Sequence, residues 1–106
     1  MTPTETTALN RRVAELAGIE LAVDGIGIDG IKYLALWRPT TDAAQALLAL
    51  ERYSNRERAH QFPELYFLPN SQKWSVRMGR KCKTFIGPLA EAICRAMDAA
   101  GGEGCI

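Results

Sequence analysis

The first part of the chain repeats its apolar residues at helical spacing, with Leu9, Val13 and Leu16 on one stripe and Arg11, Arg12 and Glu15 off it. This predicts an amphipathic helix over residues 3–17. Its start is marked by Thr2-Pro3-Thr4-Glu5: a threonine hydroxyl can accept a free first-turn amide, Glu5 can reach back to the cap, and proline sits where no donor is needed. Gly18 supplies the left-handed stop. Two short β-rich runs follow, Ile19 to Val23 and Ile31 to Trp37, separated by the glycine-rich Asp24 to Gly30, and they read as a hairpin or paired strands. Arg38-Pro39-Thr40-Thr41-Asp42 combines a proline with capping side chains and opens a second helix, rich in alanine and leucine, that runs to about Arg56 with Ala43, Leu47 and Leu50 on one face.

A polar stretch from Asn55 to the break at Pro63 returns the chain to β structure. Glu64 to Leu68 and Lys73 to Met78 flank the turn signal Pro69-Asn70-Ser71-Gln72, predicting a second hairpin. In its latter strand Trp74, Val76 and Met78 alternate with Lys73, Ser75 and Arg77, the period of a sheet with one buried and one wetter face. A further strand over Lys81 to Ile86 is compatible with the pattern. A two-residue turn at Gly79-Arg80 would, however, set Lys83 opposite Val76 on the apolar side, so a looser loop competes with it. Gly87-Pro88 starts the last helix, whose stripe is Leu89, Ile93, Ala96, Met97 and Ala100, with a flexible tail from about 101 to 106. The order α-β-β-α-β-β-(β)-α predicts an α+β fold, a sandwich of helices with an antiparallel or mixed sheet, as a single domain over 1–106.

Composition narrows the class of partner. Thirteen basic against twelve acidic residues give a net charge of +1, too little to gather nucleic acid or an anionic membrane by a global field. Nucleic acid is therefore not the expected ligand. The apolar runs are far shorter than the roughly 18 residues of a membrane span. Three cysteines, Cys82, Cys94 and Cys105, form an odd set with no paired spacing, and no leader-like segment opens the chain. A reduced, cytoplasmic protein is the expectation.

Several of these segments together resemble a family. Leu9-Asn10 followed by Val13-Ala14-Glu15, Pro39 with Thr41-Asp42 before an alanine-rich helix, Trp74-Ser75-Val76, and Ala92-Ile93-Cys94-Arg95-Ala96 resemble the small proteins called phage ABA sandwich domains. The resemblance spans most of the chain, although Asp24 to Ile31 and Glu57 to Tyr66 match no pattern of it. It implies a phage or prophage origin, cytoplasmic in a bacterial host, and a sandwich fold in a family whose members mostly lack an assigned activity. It further implies a likeness to phage sponges, oligomers that sequester the nucleotide signals of bacterial immune systems. It carries over no catalytic residue.

The remaining chemistry is sparse. Gly25-Ile26-Gly27-Ile28-Asp29-Gly30 imitates a dinucleotide-binding fingerprint, but the fingerprint needs a helix after its third glycine, and Ile31 to Trp37 continues as strand. A hairpin loop is the better reading. His60 is the only histidine, and no serine, cysteine or carboxylate stands at a spacing that would make it a catalytic base or a metal ligand. No enzyme, cofactor or metal is expected. Cys94, beside Ile93 and near Met97, reads as a small buried residue.

The densest charge is Arg77, Arg80, Lys81 and Lys83, just before the amino end of the last helix, where free amides and the helix dipole favour phosphate. Pro88, which lacks a donor, and Glu91, which can itself complement the dipole, weigh against it. Trp37 and Tyr33 are the candidate aromatics for a nucleobase, with Trp37 at a strand end more reachable than Trp74, which shares a core face with Val76 and Met78. The leading expectation is a non-catalytic homo-oligomeric protein that sequesters a small anionic nucleotide through Arg77, Arg80, Lys81, Lys83, Trp37 and Tyr33. The alternatives are a protein-interaction module acting on a host protein through exposed apolar residues of its first or last helix, and a weak nucleic-acid binder.

Overall fold

The computed structural model describes residues 2–19, 37–57, 63–79 and 81–102. The elements are helix α1 (Pro3–Ala17), helix α2 (Ala43–Glu57), strands β1 (Glu64–Leu68), β2 (Lys73–Arg77) and β3 (Phe85–Gly87), and helix α3 (Leu89–Gly102). The three strands form an antiparallel sheet in the order β1-β2-β3, so the protein is an α+β fold. The expected strand pair over 19–23 and 31–37 lies, apart from its outer ends Ile19 and Trp37, outside the described residues, as do residues 58–62.

Local chemistry sets the boundaries. Thr2 Oγ1 accepts the Glu5 amide at 3.1 Å, Pro3 takes the first helical position, and Gly18 ends α1 at φ 70°, a conformation that costs a residue with a Cβ about 1–2 kcal/mol. At α2 the Asp42 carboxylate accepts the Gln45 amide at 3.2 Å, and the Gln45 side chain reaches back to accept the Arg38 amide at 2.7 Å. The β1–β2 hairpin turns through Gln72 at φ 55°, and its register is unbroken from Glu64↔Arg77 to Leu68↔Lys73.

α3 is the centre of the molecule. It is the only described helix that touches the strands, packing on β2 and β3, while α1 and α2 pack against it and against each other. A helix covered on several sides must be apolar over most of its circumference. Accordingly Ala90, Ala92, Ile93, Cys94, Ala96, Met97 and Ala100 are all buried, a wider face than the single stripe read from the sequence. The helix also continues through Gly101 and Gly102, where a flexible tail was expected, and residues 103–106 lie outside the described set. Gly101 has a packing reason: a Cβ there would meet Leu16 Cδ2 of α1 at 2.3 Å.

One further expectation is corrected, and one left open is decided. In α2 the buried face is Ala46, Ala49, Leu50 and Tyr53, whereas Ala43 and Leu47 are exposed. Alanines let α2 approach its neighbours closely, so the small side of the helix faces inward and Leu47 is left in solvent. The third strand is only Phe85–Gly87, with Val76↔Phe85 and Trp74↔Gly87 as partners. A loop over 79–84 therefore replaces the tight turn, and it removes the conflict that would have put Lys83 across from Val76. Cys82 in this loop is disulfide-bonded, where three reduced cysteines were expected. Among the described residues, no helix is long and apolar enough to cross a membrane.

Candidate functional site

The loop from Gly79 to Thr84 carries the candidate anion site. β2 ends at Arg77, Met78 and Gly79 are buried, and the Cys82 amide donates to the Gly79 carbonyl at 3.1 Å, closing a turn that holds Lys81 at the surface. Lys81 is exposed and makes no ion pair or hydrogen bond among the described residues. Lys83 is exposed with its Nζ 5.4 Å from the centroid of the Phe85 ring, a cation–π contact that orients the ammonium while leaving its hydrogens to solvent or a ligand. β3 then feeds directly through Pro88 into α3.

The other two members of the basic cluster do not extend this surface. Arg77 lies on the face of the sheet turned away from α3, half-buried, where its guanidinium is ion-paired with the Glu64 carboxylate across the β1–β2 ladder. Its charge is matched by a carboxylate that one of its guanidinium nitrogens bonds, so it is not a free cation for phosphate. Arg80 lies outside the described residues. At the amino end of α3, Glu91 occupies the first turn and pairs loosely with Arg95 at 3.7 Å. An anion would share that end of the helix dipole with a carboxylate already in place. The structure thus reduces the described anion-facing charge to Lys81 and Lys83.

The aromatic assignment is corrected. Trp37 is only 3 % exposed, and its indole Nε1–H donates to the Asn10 main-chain carbonyl of α1 at 2.7 Å. It is a buried tie between α1 and the segment leading to α2, completed by the Thr40 amide donating to Asn10 Oδ1 at 3.1 Å, and it cannot stack on a base. The indole needed a partner for its N–H, and α1 supplied one next to an apolar surface. Trp74 is the more open of the two tryptophans: it is half-buried, packed against the core, and its ring lies 5.4 Å from Phe67 at a tilt of 56°. Tyr33, His60 and the glycine-rich Gly25 to Gly30 lie outside the described residues.

Exposed aromatic and aliphatic surface is concentrated on the strands. Tyr66, Phe67 and Ile86 are all at least half exposed, while the apolar residues of α1 and α3 are turned inward. Tyr66, Ser75 and Ile86 form one row across the outer face of the sheet, and Phe67 and Trp74 form a row on the opposite face. Sequence reasoning missed this surface although its signal was present: two adjacent aromatics in a strand must point to opposite faces, so at least one is uncovered unless the sheet is sandwiched.

Cys94 is a free, buried thiol. Burial pushes its thiol up to about 12, and the negative charge of Glu91 adds to the rise. Among the described residues no group of three histidine, cysteine or carboxylate side chains could hold a metal ion. A shallow open depression of about 510 Å3 is lined, among the described residues, by Pro3, Thr4, Thr7, Ala8 and Arg11 of α1 alone. No family model, curated protein or solved structure matches this chain.

Proposed function

We propose that the protein acts by binding and not by catalysis, and that its ligand is a small anionic nucleotide taken up at the 79–84 loop. The observation that supports this most directly is the pair of exposed lysines, Lys81 and Lys83, on a loop where Arg77 is already matched by Glu64 and no described carboxylate pairs with either lysine. Ammonium groups suit phosphate as mobile point charges, and they fit a ligand whose phosphates are spread over a surface instead of enclosed in a pocket. The resemblance of the chain to phage ABA sandwich domains supports the same reading, a phage-encoded sponge that lowers the free concentration of a host immune signal. Base contacts would fall to the half-buried Trp74 or to residues outside the described set, not to Trp37.

The test is a thermal-stability screen of the purified protein against cyclic dinucleotides, cyclic trinucleotides and ADP-ribose derivatives. A ligand at 100 times its dissociation constant stabilises the fold by about 2.7 kcal/mol, which in a domain of this size is a rise of roughly 10 °C or more in Tm. A screen in which no nucleotide raises the Tm overturns the nucleotide reading. A second reading, a module that binds a host protein, is favoured by the exposed apolar residues. On this reading the contact surface is Tyr66, Phe67 and Ile86 of the sheet, which are exposed, and not the first or last helix.

A further inference from the structure

Among the described residues β1 is an edge strand without the usual protections. Native edges are blunted by lysine, by internal proline, by bulges or by covering elements, because their unpaired amides and carbonyls are a template for another strand. β1 reads Glu-Leu-Tyr-Phe-Leu: its prolines stand outside it at 63 and 69, its register against β2 has no bulge, and its single charge, Glu64, is matched by Arg77. No described helix covers it, because α3 packs on β2 and β3 but not on β1. As a result Tyr66 is 60 % exposed on one face and Phe67 is 50 % exposed on the other. Leu65 packs against the core, but a strand with an exposed aromatic on each face and, among the described residues, no partner along one edge is suited to continuation of the sheet.

We propose that the occupant of this edge is a second copy of the same chain, docked strand to strand and antiparallel about a two-fold axis through Tyr66. The sequence of β1 is self-complementary about that residue. Tyr66 meets the partner's Tyr66 on the outer face, and Leu65 meets the partner's Phe67 on the inner face, and the reverse. Glu64 falls opposite the partner's Leu68. All five residues of the strand are paired, with the strands about 4.8 Å apart. The rows that result are coherent. On the inner face the tilted Trp74–Phe67 pair is extended by the partner's Leu65 and Val76, giving an unbroken apolar row. On the outer face the Arg77–Glu64 ion pair continues into the partner's Leu68 and the partner's Lys73, so each end of the interface carries opposite charges and the two Glu64 side chains stay apart. A closed two-fold of this kind uses one patch twice and leaves no further edge of β1 to polymerise.

The helical alanines do not compete for this role. The small alanine faces of the helices, Ala46 and Ala49 of α2 and Ala92, Ala96 and Ala100 of α3, are consumed inside the monomer. The interface is also separate from the proposed anion site, since β1 and β3 are opposite edges of the sheet and the lysine loop leads into β3. One edge strand with two aromatics buries area at the low end for specific interfaces, so the dimer is in concentration-dependent equilibrium with monomer.

The test is sedimentation equilibrium of the full chain from micromolar to several hundred micromolar, for the parent, Tyr66→Lys, Tyr66→Glu and an equimolar mixture of the two variants. Tyr66 is mostly exposed, so both variants fold, and circular dichroism checks this. The parent is expected to dimerise. Each variant alone is expected to dissociate about tenfold more readily or worse, because like charges are placed directly opposite across the axis. The mixture is expected to regain the dimer as a heterodimer, because lysine then faces glutamate. A parent that stays monomeric throughout overturns the proposal. So does a dimer that persists in both single variants, or a mixture that shows no recovery, since each places the contact elsewhere than at Tyr66.

Discussion

Single residues here owe their behaviour to where the helices converge. Cys94 sits fully buried on α3, and its thiol holds its proton up to about pH 12 while an unfolded chain releases it near 9. The sign follows directly: the folded state binds the proton more tightly, so its contribution is complete below pH 9 and is lost between 9 and 12, at up to about 1.4 kcal/mol per pH unit. Comparing the pH dependence of urea unfolding for the parent and Cys94→Ala should show a shallower alkaline loss in the variant. The thiol should also resist alkylation at pH 8 until denaturant is added. Ile93, fully buried beside it, should lose about 2–5 kcal/mol on truncation to alanine, and half-buried Trp74 should lose less than a buried tryptophan's 3–5 kcal/mol, read from melting curves of the two variants. Cys94 and Ile93 were legible as core from helical spacing alone. The burial of Trp37 was not, because it depends on Asn10 presenting a carbonyl 27 positions away in the chain, and no local pattern announces that contact.

At the level of elements, caps and period were the readable part and the choice of inward face was the weak one. α1 was legible from Thr2, Pro3 and Gly18 because each satisfies or ends the helix through its own chemistry, whatever the rest of the chain does. α2 was legible as a helix, but its face was not, since hydrophobicity points to Leu47 while close helix packing selects Ala46 and Ala49. The two criteria give opposite forecasts for mutants. Leu47→Lys should change stability by no more than about 0.5 kcal/mol, while Ala49→Leu should cost about 1–3 kcal/mol through overpacking, as measured by chemical denaturation. The Asn10 tie is a second check on how α1 meets the segment before α2. Asn10→Ala leaves the buried Thr40 amide without its acceptor and should cost about 1–3 kcal/mol, well above a surface substitution, in the same measurement. The short β3 was only half legible: the clash foreseen between Lys83 and Val76 argued for a longer loop, and the register of Val76 with Phe85 is how the chain resolves it.

For the whole molecule, the α+β class followed from the alternation of periods along the chain. The arrangement in which α3 separates the sheet from α1 and α2 did not, because it depends on how far round α3 is apolar. Among the described residues that arrangement leaves Tyr66 and Ile86 exposed on the outer face of the three-stranded sheet, apart from the exposed lysines of the loop before β3, and these are the two regions proposed above for a second copy and for an anion. Of the candidate site, the lysines were visible as a charge cluster, while the engagement of Arg77 by Glu64 needed the register of the β1–β2 hairpin to be seen. The proposed binding of a small nucleotide at this loop is tested by the ligand-induced change in Tm for the parent and for Lys81→Glu/Lys83→Glu across the same panel of cyclic nucleotides and ADP-ribose derivatives. Both lysines are exposed, so the unliganded variant should melt within about 1 kcal/mol of the parent, allowing for the loss of the Lys83–Phe85 contact. At least one nucleotide should stabilise the parent and leave the double variant unmoved; equal stabilisation of both proteins, or of neither, contradicts nucleotide binding at this loop.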